Sequence, residues 1–297
     1  MGDVTLLYGV GATKGGTTWL YETLQAQPDC HLRAVKELHY WDSFGPRQQQ
    51  YQLRELAARV ERLTARQERA RIEGDAWKVE NIDRQLRDIE DLSKVLTGTR
   101  DGDKAYLRYL SKGRGGAHLV ADITPSYGLL EADRLERMRD LTPGAKFLYL
   151  MRDPLSRLWS HVRMMASRRG GRGSLEVRAN EILSEIVSEG AEPGITKRGD
   201  YAGAVERLQA SIPATRLMIG FAEEVRTRAG LETLAAFLGL GKIDADLAHK
   251  AHEGKPAVMR PELRAAAMTF LRPQYEFVAR ELGPLPQSWQ DNLARAA

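Results

Sequence analysis

Between positions 9 and 18 the chain reads Gly9-Val10-Gly11-Ala12-Thr13-Lys14-Gly15-Gly16-Thr17-Thr18, and its glycines, single cation and hydroxyls suit the binding of a phosphate-like anion. The run follows the apolar stretch Val4 to Tyr8 and precedes a helical pattern, which predicts a strand, a turn and a helix N-terminus. Glycines let the backbone take positive φ and approach a ligand closely, while the free N–H groups and positive dipole end of the helix favour anionic oxygens. In the ordinary triphosphate loop, G-x-x-x-x-G-K-[ST], the lysine follows the last glycine. Here Gly11 and Gly16 keep the glycine spacing and Thr18 the hydroxyl position, but Thr17 stands where the lysine belongs, and the cation lies inside the turn at Lys14. That placement suits a nucleotide whose 5′ end carries something other than a triphosphate. Alone, the run also fits a tight turn with a surface lysine.

A second motif lies far along the chain. Lys146 to Met151 is a continuous apolar run of buried-strand type that ends in Arg152-Asp153-Pro154 and a helical segment, Leu155 to Ala166. Pro154 fits the first turn of that helix. Arg152 stands just before the helix and Ser160 on it, so both can reach one anion near its N-terminal end. The same run has a kinase reading, in which Asp153 at the strand end holds magnesium. The displaced lysine and the adjacent Arg152 weigh against it.

Taken together, the two motifs resemble the 5′-phosphosulfate loop and the 3′-phosphate site of the sulfotransferases, which use 3′-phosphoadenosine 5′-phosphosulfate (PAPS) and release 3′-phosphoadenosine 5′-phosphate (PAP). The resemblance implies that Lys14, Gly15, Gly16, Thr17 and Thr18 hold the 5′-phosphosulfate and that Arg152 and Ser160 hold the 3′-phosphate. A third segment, Lys36-Glu37-Leu38-His39-Tyr40-Trp41-Asp42, is similar to the Lys-Glu-x-His-aromatic-aromatic-Asp segment of the heparan-type enzymes. By position it implies Glu37 as general base for the acceptor, with Lys14 neutralising charge on the leaving oxygen. If the segment is extended, Glu37 and His39 share a side. His39 is then a helper or alternative base, or a structural hydrogen-bonding histidine, the reading we prefer.

Asp122-Ile123-Thr124-Pro125-Ser126-Tyr127 resembles the family's Glu-Lys-Thr-Pro-x-Tyr element after a strand at His118 to Ile123, except that Ile123 replaces the lysine. Lys197 to Tyr201, a strand at Arg216 to Phe221 and Phe237 to Leu240 follow the same order. Gly254-Lys255-Pro256 stands where the family has a basic loop over the nucleotide, so Lys255 is a further cofactor-binding candidate beside the reading of an ordinary exposed loop.

From Gln48 to Leu96 the sequence is densely charged, and its apolar residues fall at helical spacing: Leu53, Leu56, Val60 and Leu63, then Ile82, Leu86, Ile89 and Leu96. The pattern predicts a helical hairpin inserted at about 46–115, broken at Gly74-Asp75. Three uses stay open: helices zipped together on the core, a cap over the acceptor, and a homodimer contact. The zipped reading is preferred. Arg168 to Gly173 is a basic flexible stretch that reads as a mobile loop by the cleft or, the reading we prefer, an ordinary solvated linker.

Strands alternating with helices predict an α/β fold: a three-layer P-loop-like parallel sheet flanked by helices, with the hairpin insertion, as one domain over 1–297 and with ligands at the strands' carboxyl ends. The 297 residues, 42% of them hydrophobic, suffice for one such core. The net charge of +4 serves a nucleotide but is too small to argue for nucleic acid. No apolar run has membrane-spanning length, and the start of the sequence lacks the pattern of a secretion signal. With Cys30 as the single thiol, a cytoplasmic setting is expected. No His/Cys cluster has metal-ligand spacing, so catalysis without a required metal is expected. The expected activity is transfer of a sulfuryl group from PAPS to a hydroxyl or amine on a small-molecule or glycan acceptor. The rivals are a small-molecule P-loop kinase and a non-catalytic nucleotide-binding scaffold.

Overall fold

The structure, a computed structural model, describes residues 4–248 and 254–295. Five parallel strands, β1 (Thr5–Gly11), β2 (Cys30–Leu32), β3 (Leu119–Ile123), β4 (Ala145–Met151) and β5 (Leu217–Phe221), form one sheet in the order β2-β3-β1-β4-β5. The helices of the first half are α1 (Thr17–Gln25), α2 (Pro46–Ile72), α3 (Ala76–Thr97), α4 (Lys104–Ser111), α5 (Ala132–Asp140) and α6 (Pro154–Arg169). The second half adds α7 (Leu175–Glu189), α8 (Pro193–Thr196), α9 (Tyr201–Ser211), α10 (Ala222–Val225), α11 (Arg228–Leu238), α12 (Pro261–Glu281) and α13 (Gln287–Ala294).

The central strands read as unbroken apolar runs because both sheet faces are covered. Leu6, Tyr8 and Val10 of β1, with Phe147, Tyr149 and Met151 of β4, face a core shared with the insertion, α6, α9 and α12. Leu7 and the alternate residues Leu148 and Leu150 face α1 and α11 through Trp19, Leu20, Leu234 and Leu238. The result is the expected three-layer α/β sandwich.

Strand order fixes where the site opens. β1 lies between β3 and β4, so the chain leaves it toward one sheet edge and later crosses to the other, and the crevice forms at the carboxyl ends of β1 and β4. The Gly-rich loop follows β1 and Arg152 follows β4, which brings the two motifs to one edge of the sheet although Lys14 and Arg152 are 138 positions apart in sequence. Pairing continues past the strand end: Ala12 N–H donates to the Leu150 carbonyl at 2.7 Å.

The edge strand departs from expectation. The sequence places an extended segment at Lys36 to Asp42, whereas the strand is Cys30–Leu32, and residues 33–42 are irregular. Pairing with β3 ends at Leu32 opposite Ala121. Beyond it, hydroxyls take the backbone donors a ladder would use: Thr124 Oγ accepts from Leu38 N–H at 3.0 Å and Tyr127 Oη from Tyr40 N–H at 2.9 Å.

In the insertion, Leu56 and Leu63 of α2 and Ile82, Ile89 and Leu96 of α3 are buried in the same core as the sheet's inner face. The two helices therefore lie zipped on the core. Arg168 and Arg169 belong to the last turn of α6, so the expected linker shrinks to residues 170–173.

α6 is set by its cap. Asp153 Oδ1 accepts from Ser156 N–H at 2.7 Å, Pro154 occupies the first turn, and the buried Tyr275 hydroxyl of α12 donates to Asp153 Oδ2 at 2.6 Å. Tyr275→Phe removes a donor to a buried carboxylate and is expected to cost about 1–3 kcal/mol of stability. Urea denaturation followed by circular dichroism measures it, and an unchanged midpoint would show the bond to be dispensable.

Candidate active site

The Gly-rich loop owes its shape to close approaches. A Cβ on Gly11 would fall on the Tyr149 ring, and one on Gly15 would strike the Leu150 carbonyl. Gly16 takes φ 90° as the N-cap of α1, where a Cβ would be strained, and no side chain caps that helix. Lys14 itself holds φ 69°. The loop that carries Lys14 thus leads into an uncapped helix start, and the Lys14 ammonium reaches toward α6, 3.9 Å from Met164 Sδ.

One cavity of about 2140 Å³ gathers most of the residues singled out by the sequence: Lys14, Gly16, Thr17, Thr18, Glu37, His39, Arg152 and Ser160 all line it. Ordinary single-ligand pockets reach about 1,000 Å³, so this space has room for two substrates together. Gly15 lies beneath the loop rather than on the wall, its N–H bound to the Ala12 carbonyl at 2.8 Å. Lys255 is exposed and its side chain is not on the wall. It meets the site only through its carbonyl, which accepts from Arg163 Nη1 at 3.1 Å, because the flanking Gly254 and Pro256 turn toward the cavity instead. Arg157 also stays out of the cavity, 1% exposed under the loop at Gly199.

The field near Lys14 is strongly positive. Burial lowers the Lys14 pKa, and the charges of Arg168, Arg152 and Arg163 lower it further, with Glu37 opposing. Burial together with Arg157, Arg198 and Lys14 pushes His161 down to about 3, so its ring is neutral. Arg163 goes unnoticed as a site residue in the sequence, and Arg168 reads there chiefly as part of a linker. The signal was there in α6, where Ser156, Ser160, Met164 and Arg168 recur every four residues on one face.

Glu37 is tied to two cations: Lys36 Nζ at 3.4 Å from Oε1, and His39 Nε2 at 3.4 Å from Oε2. His39 Nδ1 lies 2.9 Å from Asp42 Oδ2, and the Ser126 hydroxyl donates to the same oxygen at 2.6 Å. Burial opposes charge on His39, but the hydrogen bonds to Asp42 and Glu37 outweigh it and carry the pKa up to about 10. For Glu37, burial works upward while the His39 bond and the Lys36 charge prevail, holding its carboxyl below the usual range. Glu37 and His39 meet although their segment is no strand, because His39 turns into the left-handed region at φ 52°. With both ring nitrogens donating to carboxylates, His39 has no free lone pair, which favours the hydrogen-bonding reading over that of an alternative base.

The remaining motif residues stand behind this layer. Asp122, 1% exposed, accepts from Tyr106 Oη at 2.7 Å, Tyr127 Oη at 2.8 Å and Thr124 Oγ at 2.6 Å. Ile123 points to the opposite sheet face, into the core under α1. Asp153 spends one oxygen on the α6 cap and the other on Tyr275, which leaves it a structural role and weakens the kinase reading.

The profile of the family described as "Sulfotransferase family" matches residues 7–191. Among solved structures, a sulfotransferase from Alicyclobacillus acidocaldarius is similar at 20% identity and TM-score 0.61, over 98% of this chain and 99% of that one. The sulfotransferase domain from the curacin biosynthetic pathway is similar at 16% identity and TM-score 0.51, over 96% and 99%. At such identities the structural likeness establishes the fold. No curated protein matches the chain significantly.

The Glu37–His39–Asp42 network has a defined pH signature. His39 has a pKa of about 10 in the fold against 6.5 ordinarily, so its contribution to stability is complete below about pH 6.5 and is lost as the pH rises through 10. The melting temperature of the wild type is expected to fall more steeply between pH 7 and 10 than that of His39→Asn. Parallel curves in a thermal-shift pH series would contradict the raised pKa.

Proposed function

The chain belongs to the sulfotransferase family, and from that premise we propose that it transfers the sulfuryl group of PAPS to a hydroxyl or amine acceptor. The observation that carries this reading is that Lys14, Arg152, Ser160 and Glu37, from four distant parts of the sequence, line one cavity.

The residues present fit the donor nucleotide. The uncapped start of α1 with Lys14, Thr17 and Thr18 would hold its 5′-phosphosulfate, and Arg152 with Ser160 its 3′-phosphate. Lys14, crowded by Arg168, Arg152 and Arg163 and offset by Glu37, would gain further counter-charge from such an anion. When bound, PAPS supplies an activated sulfuryl group open to in-line attack.

In this reading Glu37 takes the proton of the attacking hydroxyl or amine. Its lowered pKa keeps it ionised at neutral pH, at the cost of weaker basicity. His39, anchored by Asp42, orients the Glu37 carboxylate rather than competing for the proton. Lys14 places positive charge where the leaving oxygen becomes negative. The acceptor, a small molecule or glycan, occupies the part of the cavity faced by α2, where Gln48, Tyr51, Gln52 and Glu55 line the wall.

Lys14→Ala is expected to reduce PAPS turnover about 100- to 1,000-fold with an unchanged circular dichroism spectrum; near-normal turnover would remove Lys14 from the chemistry. Arg152→Ala is expected to weaken PAP binding about 10- to 100-fold, while adenosine 5′-phosphosulfate, which lacks the 3′-phosphate, loses far less. Equal losses by calorimetry would contradict the 3′-phosphate assignment. Thermal stabilisation by PAP but not by ATP with magnesium separates the reading from a kinase, and PAP binding without transfer to any of a broad panel of acceptors would favour a scaffold.

A further inference from the structure

We infer that the helical insertion positions the base: Arg59 of α2 and Asp88 of α3 fix the backbone immediately before Glu37 and act on the reaction through it. The inference rests on the reading of Glu37 as general base.

Between the end of β2 at Leu32 and the start of α2 at Pro46 the chain has no helix or strand to satisfy its backbone polar groups, so other groups must do so. Part of the segment is held from the core. Tyr21 Oη donates to the Arg33 carbonyl at 2.6 Å, Thr124 Oγ accepts from Leu38 N–H, and Tyr127 Oη accepts from Tyr40 N–H. The two positions directly preceding Glu37 are held from the insertion instead. Val35 N–H donates to Asp88 Oδ2 at 2.8 Å, and Arg59 Nη1 donates to the Lys36 carbonyl at 3.1 Å.

Neither residue is required to close the hairpin. The α2–α3 seam has its own contacts in Leu56, Leu63, Ile82 and Ile89, and Gln67 Nε2 donates to Asp83 Oδ1 at 2.5 Å. Asp88 is 3% exposed, and burying a carboxylate is costly unless it is fully paired. Its partners are Val35 N–H and the guanidinium of Arg33, both on the segment that leads to Glu37. Arg33 is in turn clamped by Asp91 at 3.3 Å and by the Lys112 carbonyl at 2.9 Å, with its guanidinium 4.4 Å from the Tyr109 ring centroid. Arg59 forms no ion pair among the described residues and places its donors on the Lys36 carbonyl and on Gln85 Oε1 at 3.4 Å. A cation and an anion, one from each helix, thus reach out of the hairpin to consecutive residues. Glu37 is the next residue, and small misplacement of a catalytic group costs up to about 100-fold in rate.

Arg59→Met keeps the apolar stem and removes the donors. Turnover is read as PAP release from PAPS, to water or to the best of a panel of phenols, alcohols and amino sugars, and PAP affinity by calorimetry. The expected result is a 10- to 100-fold loss of kcat with the Kd for PAP within about twofold of wild type, and no additional loss when Arg59→Met is added to Glu37→Gln. Arg59→Lys, which retains a donor, should recover part of the rate. The inference is overturned if folded Arg59→Met turns over like wild type, if it loses the same factor in the Glu37→Gln background, or if PAP affinity falls in proportion to kcat. If Arg59→Met does not fold, Asp88→Asn, which keeps a side-chain oxygen but not the charge, carries the same double-variant comparison from α3. A fully active Glu37→Gln would fell the base reading itself and the inference with it, and is distinguished by the single variant alone.

Discussion

Repulsion among the cations that line one wall of the cavity is the constraint around which the rest of the site is arranged. Lys14, Arg152, Arg163 and Arg168 are close enough that each of the three guanidinium groups lowers the proton affinity of the lysine, after burial has already done so. Flexible elements would relieve such crowding by moving apart. Here the loop carrying Lys14 is bonded to β4 through Ala12 and the Leu150 carbonyl, and the helix carrying Arg163 and Arg168 is fixed at its start by Asp153 and Tyr275. Scaffold stability therefore holds open an electrostatic deficit, which the nucleotide of the proposed reading, anionic at both ends, would fill, linking its affinity to the stability of the fold by mass action.

A second charge arrangement, of the opposite kind, lies across the cavity. Glu37, His39 and Asp42 alternate in sign, and each charge is stabilised by its neighbours. The network favours the ionised carboxylate, and the positive field beside it would attract the anionic donor of the proposed reading. Separation of the two depends on the irregular segment 33–42 staying in place. That segment has no ladder, and its partners are side chains of β3's exit, of α1 and of the insertion. The buried Asp122 extends the support: by accepting from Tyr127 it orients the hydroxyl that takes the Tyr40 N–H.

Much of this was legible in the sequence because it is local. Glycine spacing fixed the loop, the apolar runs fixed β1, β3, β4 and β5 to within a few residues, and Pro154 marked the start of α6. Helical periodicity found both arms of the insertion and the seam between them. What escaped was long-range. Cys30–Leu32 is too short to carry a periodic signal, and it becomes a strand only because Leu119 to Ala121 lies beside it. The meeting of Glu37 and His39 was anticipated for the wrong reason: strand alternation was expected, and a left-handed turn at His39 achieves it. Lys255 satisfied a composition pattern, but the residues of its turn that line the cavity are Gly254 and Pro256, which no local rule could reveal. Arg59 and Asp88 looked like solvated helix charges, since nothing in their neighbourhood of sequence indicates that residues 35 and 36 lie against them.

The insertion consequently serves two tasks with one helix. On α2, Gln48, Tyr51, Gln52, Glu55 and Arg59 fall at spacings of three or four, so they share a face, and all five line the cavity. The first four face open space, while Arg59 reaches the Lys36 carbonyl next to the base. A rotation or slide of α2 that altered the shape of this cavity wall would therefore also move the donor that holds the Lys36 carbonyl. In the proposed reading, substrate fit and base alignment would be mechanically connected through a single rigid element, and the seam with α3, buried in the same core as the sheet, limits how far that element can move. Loops with the same side chains would offer the polar groups without that connection. This gives a physical reason for a long hairpin at a position where a shorter crossover would suffice to join the parallel strands β2 and β3.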